Sequence, residues 1–177
     1  MNKEKLTRKS RSITYLLRHN PGDLKMDKNG WVSTDDILKS VDITLDELKE
    51  IVETNDKQRF SFDYTLTRIR ANQGHSINVD LDLKESIPPV YLFHGTSMDN
   101  FEKIMKYGGI SKMKRQHVHL SSDRDTASNV GKRQSKKENP HILIISSYKM
   151  FIEGHKFYLS DNGVWLTDFV PKRYIQI

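Results

Sequence analysis

Residues 77–89 split this 177-residue sequence into two differently patterned halves. Asp80, Asp82 and Glu85 make the segment acidic, and Ile87-Pro88-Pro89 stiffens its end. Before it, apolar residues recur at helical spacing. After it, short apolar runs bounded by turn residues read as strands. A chain of this length holds one large domain or two small ones. The break predicts two, residues 1–76 and 90–177 joined by a linker over 77–89, and the class is α+β.

Composition narrows the chemistry. With no cysteine, disulfides and thiolate metal sites are excluded. The formal charge of +6, from 29 Lys and Arg against 23 Asp and Glu, suits a polyanionic partner such as nucleic acid. No apolar run is long enough to span a bilayer. Met1-Asn2-Lys3-Glu4-Lys5 is charged with no apolar core behind it, so no secretory signal is read. A cytoplasmic protein is the expectation, with no membrane partner.

In the first half, Leu6, Ile13, Leu16 and Leu17 predict a helix over 6–19, ended by Asn20-Pro21-Gly22. Arg18 and His19 fall in its last turn. The helix dipole favours cations there, and the same position would let both project into a cleft. Asn29-Gly30 is a turn and Trp31-Val32 a short strand. Ser33 or Thr34 is a candidate cap for a brief helix holding Ile37 and Leu38. Thr44 and Glu47 have capping-box spacing ahead of an apolar face of Leu45, Leu48, Ile51 and Val52. Phe60, Phe62 and Tyr64, then Arg68-Ile69-Arg70-Ala71, form a hairpin. Helix, strand, helix, helix, hairpin is a winged-helix plan, which by itself does not establish function. The basic residues are not confined to the third helix, where a major-groove reader would need them. They include Arg18, Lys57, Arg59, Arg68 and Arg70. Asn72-Gln73-Gly74-His75-Ser76 reads either as a polar turn or as a donor-rich loop whose glycine lets backbone approach a ligand.

In the second half, Val90–Phe93 reads as a buried strand ending at His94-Gly95-Thr96, where imidazole and bare backbone meet. Residues 100–107 read as a helix ended by Gly108-Gly109, and Asp123 or Asp125 starts another. Residues 134–140 read as a mobile loop. Strands are expected at His141–Ile145, Lys156–Leu159, Val164–Thr167 and Arg173–Ile177. In Arg115-Gln116-His117-Val118-His119-Leu120-Ser121, apolar residues alternate with Arg, His, His and Ser. As a strand, this segment has one apolar face and one carrying Arg115, His117, His119 and Ser121. That polar face is either a solvated edge or a surface that meets an anion. His117 and His119 have zinc-ligand character, but no third ligand matches and Arg115 opposes a cation, so no metal is expected. There is no dinucleotide-binding glycine fingerprint and no Walker sequence.

Five segments occur in order: Leu16-Leu17-Arg18-His19-Asn20-Pro21, Asn55-Asp56-Lys57-Gln58-Arg59-Phe60, Arg70-Ala71-Asn72-Gln73-Gly74-His75-Ser76, His94-Gly95-Thr96 and Arg115–Ser121. Together they closely resemble the tRNA 2′-phosphotransferase family (Tpt1/KptA), from about Ser10 to the C-terminus. The resemblance implies a winged-helix RNA-binding lobe and an ADP-ribosyltransferase-like lobe facing each other across a basic cleft that holds NAD. It implies NAD as a consumed co-substrate and an RNA bearing an internal 2′-phosphate, expected to be a tRNA, as partner. A monomer is expected.

The family's catalytic set maps onto Arg18, His19, Arg59 and Arg115. The transferase signature maps onto His94, His119 and Val164, which stands where many ADP-ribosyltransferases carry Glu. Gly95, Thr96, His117 and Ser121 are further NAD candidates, and Lys57, Gln73, Gly74, His75 and Ser76 are RNA candidates. An RNA 2′-phosphate is already an anion. It needs no general base, and a carboxylate beside it would repel it. Two other readings stand beside this one. The first is an ADP-ribosyltransferase acting on a terminal nucleic-acid phosphate. The second is a winged-helix binder with a degenerate second domain, which the presence of His94, Arg115 and His119 argues against.

Overall fold

The computed structural model describes residues 3–55, 57–133, 135 and 140–176. Most of the loop expected over 134–140 lies outside them, as do Asp56 and Ile177. The described chain is a mixed α/β structure of six α-helices and small antiparallel sheets, compatible with α+β. It divides into two compact units, Met1–Asp82 and Leu83–Ile177, each with its own core.

The first unit begins with helix α1 (Lys3–Arg18). Ile13 and Leu17, four residues apart on one face, are fully buried. Each such burial contributes roughly 1.5–3 kcal/mol. The helix ends as His19 and Asn20 donate backbone bonds to the Tyr15 carbonyl at 2.9 and 3.0 Å, just before Pro21. Strand β1 (Val32–Ser33) leads into α2 (Thr34–Val41). Ser33 is the N-cap, yet its side chain makes no capping bond. Thr34 instead donates its hydroxyl to the Leu66 carbonyl at 2.8 Å.

Helix α3 (Leu45–Glu53) has the full capping box. Glu47 N donates to Thr44 Oγ1 and Thr44 N donates to the Glu47 carboxylate. Strands β2 (Phe60–Phe62) and β3 (Arg68–Ala71) pair antiparallel with Phe60 opposite Ala71, and β1 completes the sheet in the order β1-β3-β2. The helices close over this sheet through Ile37, Leu48, Ile51, Phe60 and Ile69.

The second unit contains β4 (Leu92–Thr96), α4 (Met98–Lys106), β5 (Gly109–Ser111), β6 (Val118–Leu120) and α5 (Arg124–Gly131). These are followed by β7 (His141–Ile145), α6 (Ser147–Ile152), β8 (Tyr158–Leu159), β9 (Trp165–Thr167), β10 (Phe169–Pro171) and β11 (Ile175–Gln176). Its sheets have the orders β11-β7-β4, β6-β9-β8 and β10-β5. A reciprocal pair of backbone bonds between Phe93 and Ser121, at 2.9 and 2.8 Å, ties β4 to the end of β6.

Strand β6 is shorter than its alternation predicts. Arg115 N closes a turn onto the Lys112 carbonyl at 3.0 Å and Met113 has a φ of 53°, so extended pairing begins only at Val118. No described helix is long and apolar enough to cross a membrane.

Candidate active site

In the first unit, the end of α1 meets the loop after β3. Ser76 N donates to the Arg18 carbonyl at 2.9 Å, and Ser76 Oγ lies 2.9 Å from His19 Nδ1. The Arg18 guanidinium lies across Gly74, whose φ is +89° and where an added Cβ would sit 3.2 Å from Arg18 Nη1. Glycine is therefore fitted there both by its backbone and by the cation that covers it. Gln73 is half-buried beside them.

His75 faces inward and is 1% exposed, with neither ring nitrogen hydrogen-bonded among the described residues. Burial, with the charges of Arg18, His19 and Arg70 adding to it, pushes its imidazole down to about 4. It is neutral at neutral pH. Of the loop residues picked as RNA contacts, it is the one with almost no surface to offer.

Arg59 enters from the loop between α3 and β2. Its Nη1 donates to Asn55 Oδ1 at 2.9 Å, and its carbonyl accepts from Asn72 N at 2.9 Å. Lys57 N also donates to Asn55 Oδ1, at 3.2 Å. Asn72, 5% exposed, donates from Nδ2 to the Gln58 carbonyl and accepts from Ser61 Oγ. Asn55 and Asn72 lie within two of the segments that carry the family resemblance; residue type placed Asn72 in a donor-rich loop but gave Asn55 no role.

In the second unit, the Phe93–Ser121 bridge sets His94 of β4 beside His119 of β6. His94 Nδ1 donates to the His119 carbonyl at 3.2 Å, so its Nε2 carries the lone pair. Burial pushes the His94 imidazole below its ordinary value; the His119 carbonyl opposes this and the Arg115 charge adds to it. Arg115 Nη1 donates to His119 Nδ1 at 3.3 Å, which requires the His119 proton on Nε2. Arg115, His119 and His94 thus form a hydrogen-bonded run.

The His117 ring packs edge-on against Tyr158, 5.8 Å between centroids, and burial lowers its pKa. Val164 sits in the turn before β9, one residue from Trp165, which pairs with Leu120. The turn is fixed by Ser160, whose N donates to the Val164 carbonyl at 3.0 Å and whose Oγ accepts from Val164 N at 3.1 Å. Gly95 lies where α5 packs on β4: a Cβ there would fall 1.8 Å from the Ala127 carbonyl oxygen. Thr96 is fully buried, and its hydroxyl has no hydrogen-bond partner among the described residues. No group of three or more His, Cys, Asp or Glu among the described residues could hold a metal ion.

Each unit by itself supplies planar cations beside imidazoles: Arg18 with His19 and His75 in the first, Arg115 with His119 and His94 in the second. Guanidinium groups are suited to gripping anionic oxygens. Comparison with known proteins places the chain in a family. A profile described as "RNA 2'-phosphotransferase, Tpt1 / KptA family" matches residues 4–169. A Fusobacterium nucleatum protein named "Probable RNA 2'-phosphotransferase" is 49% identical over 173 residues, covering 94% of this chain and 95% of its own. Proteins of the same name from Rhizobium johnstonii and Nostoc punctiforme are each 45% identical, covering 96% and 99% of this chain and 92% and 99% of their own. With matches of this identity running almost end to end, the chain belongs to the RNA 2'-phosphotransferase, Tpt1 / KptA family.

Proposed function

We propose that this protein is an NAD-dependent RNA 2′-phosphotransferase that removes an internal 2′-phosphate from RNA, tRNA being the expected substrate. In this reading the first unit is a winged-helix RNA-binding lobe and the second an ADP-ribosyltransferase-like lobe. The observation that carries the proposal is the run Arg115–His119–His94, in a chain of this family. It presents a guanidinium and a neutral imidazole side by side and involves no carboxylate.

NAD enters as substrate. His94, Gly95, Thr96, His117, His119, Ser121 and Val164 are its proposed neighbours. The His94 lone pair at Nε2 offers one acceptor, and Gly95 lets α5 seat against the strand that carries it. Arg18, His19, Arg59 and Arg115 are the groups proposed to act on the 2′-phosphate, and Lys57, Gln73, Gly74 and Ser76 those proposed to serve the flanking RNA. His75, being buried, is proposed to serve the RNA side by shaping the loop that carries Gly74 and Ser76.

The first step needs positioning more than activation. A 2′-phosphate oxygen attacks the ribose carbon that carries nicotinamide. A carbon–oxygen bond forms, the glycosidic carbon–nitrogen bond breaks, and nicotinamide leaves with the bonding pair. RNA is now joined through its 2′-phosphate to ADP-ribose. In the second step the neighbouring ribose hydroxyl attacks phosphorus and gives up its proton. The bond from phosphorus to the RNA 2′-oxygen breaks, and that oxygen takes up a proton. Plain RNA and ADP-ribose 1″,2″-cyclic phosphate leave. Arginines gripping the non-bridging oxygens stabilise the charge that builds at phosphorus, and His19 is the proposed proton donor to the departing oxygen.

The test is incubation with NAD and an RNA bearing one internal 2′-phosphate, beside the same RNA with only a terminal phosphate. Loss of the 2′-phosphate that depends on NAD supports the proposal. ADP-ribosylation confined to the terminal phosphate would replace it with the second reading, and RNA binding without any NAD chemistry would favour a binding module.

A further inference from the structure

We infer that Asn55 is the positioning residue of Arg59, and that its being an amide, not a carboxylate, keeps the Arg59 charge available to a phosphate. This rests on the reading of Arg59 as a phosphate ligand.

Helix α3 ends at Glu53, and the chain then turns, with Gln58 N donating to the Asn55 carbonyl at 2.8 Å and Gln58 at a φ of 39°. Asn55 lies inside this turn, 9% exposed. Its Oδ1 accepts from Lys57 N and from Arg59 Nη1, and its Nδ2 donates to Ser10 Oγ on α1 at 3.4 Å. One amide therefore ties the Arg59 guanidinium to the helix that ends at Arg18. At the other end of the residue, Asn72 holds the Arg59 carbonyl and the Gln58 carbonyl. Arg59 is fixed at both backbone and tip.

The choice of side chain has a chemical consequence. A free arginine samples many rotamers, and that freedom must be lost whenever it binds. The bond to Asn55 removes much of that freedom in advance. It uses one of the five guanidinium N–H groups and leaves the others for two oxygens of one phosphate. Aspartate in the same place would orient Arg59 equally well but would oppose its charge and repel the incoming phosphate. The geometry thus separates two properties that usually travel together: aspartate should preserve the local fold and still impair phosphate recognition.

The experiment compares Asn55→Ala, Asn55→Asp, Arg59→Ala and the double variant Asn55→Ala/Arg59→Ala with wild type. The assay is single turnover on 2′-phosphorylated RNA with saturating NAD, with thermal melts run beside it. RNA affinity with and without the 2′-phosphate is measured without NAD. Misplacing a reacting group by about 1 Å can cost about 10²-fold, which bounds the loss expected for Asn55→Ala. Asn55→Asp should melt at or above Asn55→Ala yet turn over no faster, and should discriminate less between phosphorylated and plain RNA than wild type does. The double variant should be no slower than Arg59→Ala.

If Asn55→Ala slows the Arg59→Ala enzyme by the same factor as it slows wild type, Asn55 does not act through Arg59 and the inference is overturned. Wild-type turnover and discrimination in Asn55→Asp would overturn it too. Wild type that consumes no NAD with this RNA refutes the functional reading itself, a result distinct from either of these.

Discussion

Replacing Gly95 by alanine tests whether the packing that carries His94 and Thr96 is as tight as the structure makes it. The added Cβ would lie 1.8 Å from the Ala127 carbonyl oxygen, 2.6 Å from the Ala127 carbonyl carbon and 3.0 Å from Gly131 N. All three are backbone atoms of α5, so no side-chain rotation relieves the overlap. Real Cβ contacts essentially never fall below 3.0 Å, so α5 and β4 must separate by about 1 Å. Overpacking of this kind costs about 1–3 kcal/mol, and backbone overlap belongs at the upper end. For a chain of this size that corresponds to a melting point lower by about 3–10 °C.

The displaced strand carries His94, whose bond to the His119 carbonyl at 3.2 Å has little length to spare. Use of NAD should therefore suffer along with stability. Differential scanning calorimetry and an NAD titration of turnover on 2′-phosphorylated RNA measure the two. A variant that melts with wild type and keeps its KM for NAD would refute the idea that Gly95 is required for α5 to seat against β4.

Arg59→Ala should slow the second chemical step by about 10²–10³ and accumulate RNA joined to ADP-ribose, seen as a slower band in a gel time course on end-labelled RNA. Slower substrate loss without that band would assign Arg59 to binding or to the first step. His75 is neutral when folded but takes a proton when unfolded anywhere between about pH 4 and 6.5. The unfolded state thus binds more protons there, and stability should fall as pH drops through that window, by at most roughly 3 kcal/mol. Urea melts of wild type and His75→Phe at pH 7.5 and 5 check this, and the variant should lose less between the two. Thr44→Ala removes one half of the capping box at α3 and should cost about 1 kcal/mol in the same melts. Wild-type stability would mean that the helix end is solvated at no net cost.

What the residues disclosed in advance was mostly local. The period of Ile13 and Leu17, the break at Pro21 and the Thr44–Glu47 pair each act within one turn or one helix, and each appears as read. Features that depend on distant partners were not visible. Strand β5, only Gly109–Ser111, exists because Phe169–Pro171 pairs with it some sixty residues later, and neither segment has a strand's usual length. The Arg115–Ser121 alternation overstated its strand, because a two-residue period cannot distinguish extended chain from the turn that Lys112 and Arg115 close.

In the candidate site, residue type pointed to Arg115, His119 and His94, since few other side chains match an anion. It could not show that His117 turns to Tyr158 or that His75 is enclosed, because burial is decided by the chain packed over a residue. Asn55 stands four residues before Arg59, but only the intervening backbone turn brings the amide to the guanidinium.

In the proposed reaction an RNA 2′-phosphate itself displaces nicotinamide from NAD. Supplying RNA with a ³²P-labelled internal 2′-phosphate, with and without NAD, tests it directly. Without NAD the label should stay on RNA, and with NAD it should move to ADP-ribose 1″,2″-cyclic phosphate as nicotinamide is released one for one. Label released as inorganic phosphate, at the same rate whether or not NAD is present, would contradict it.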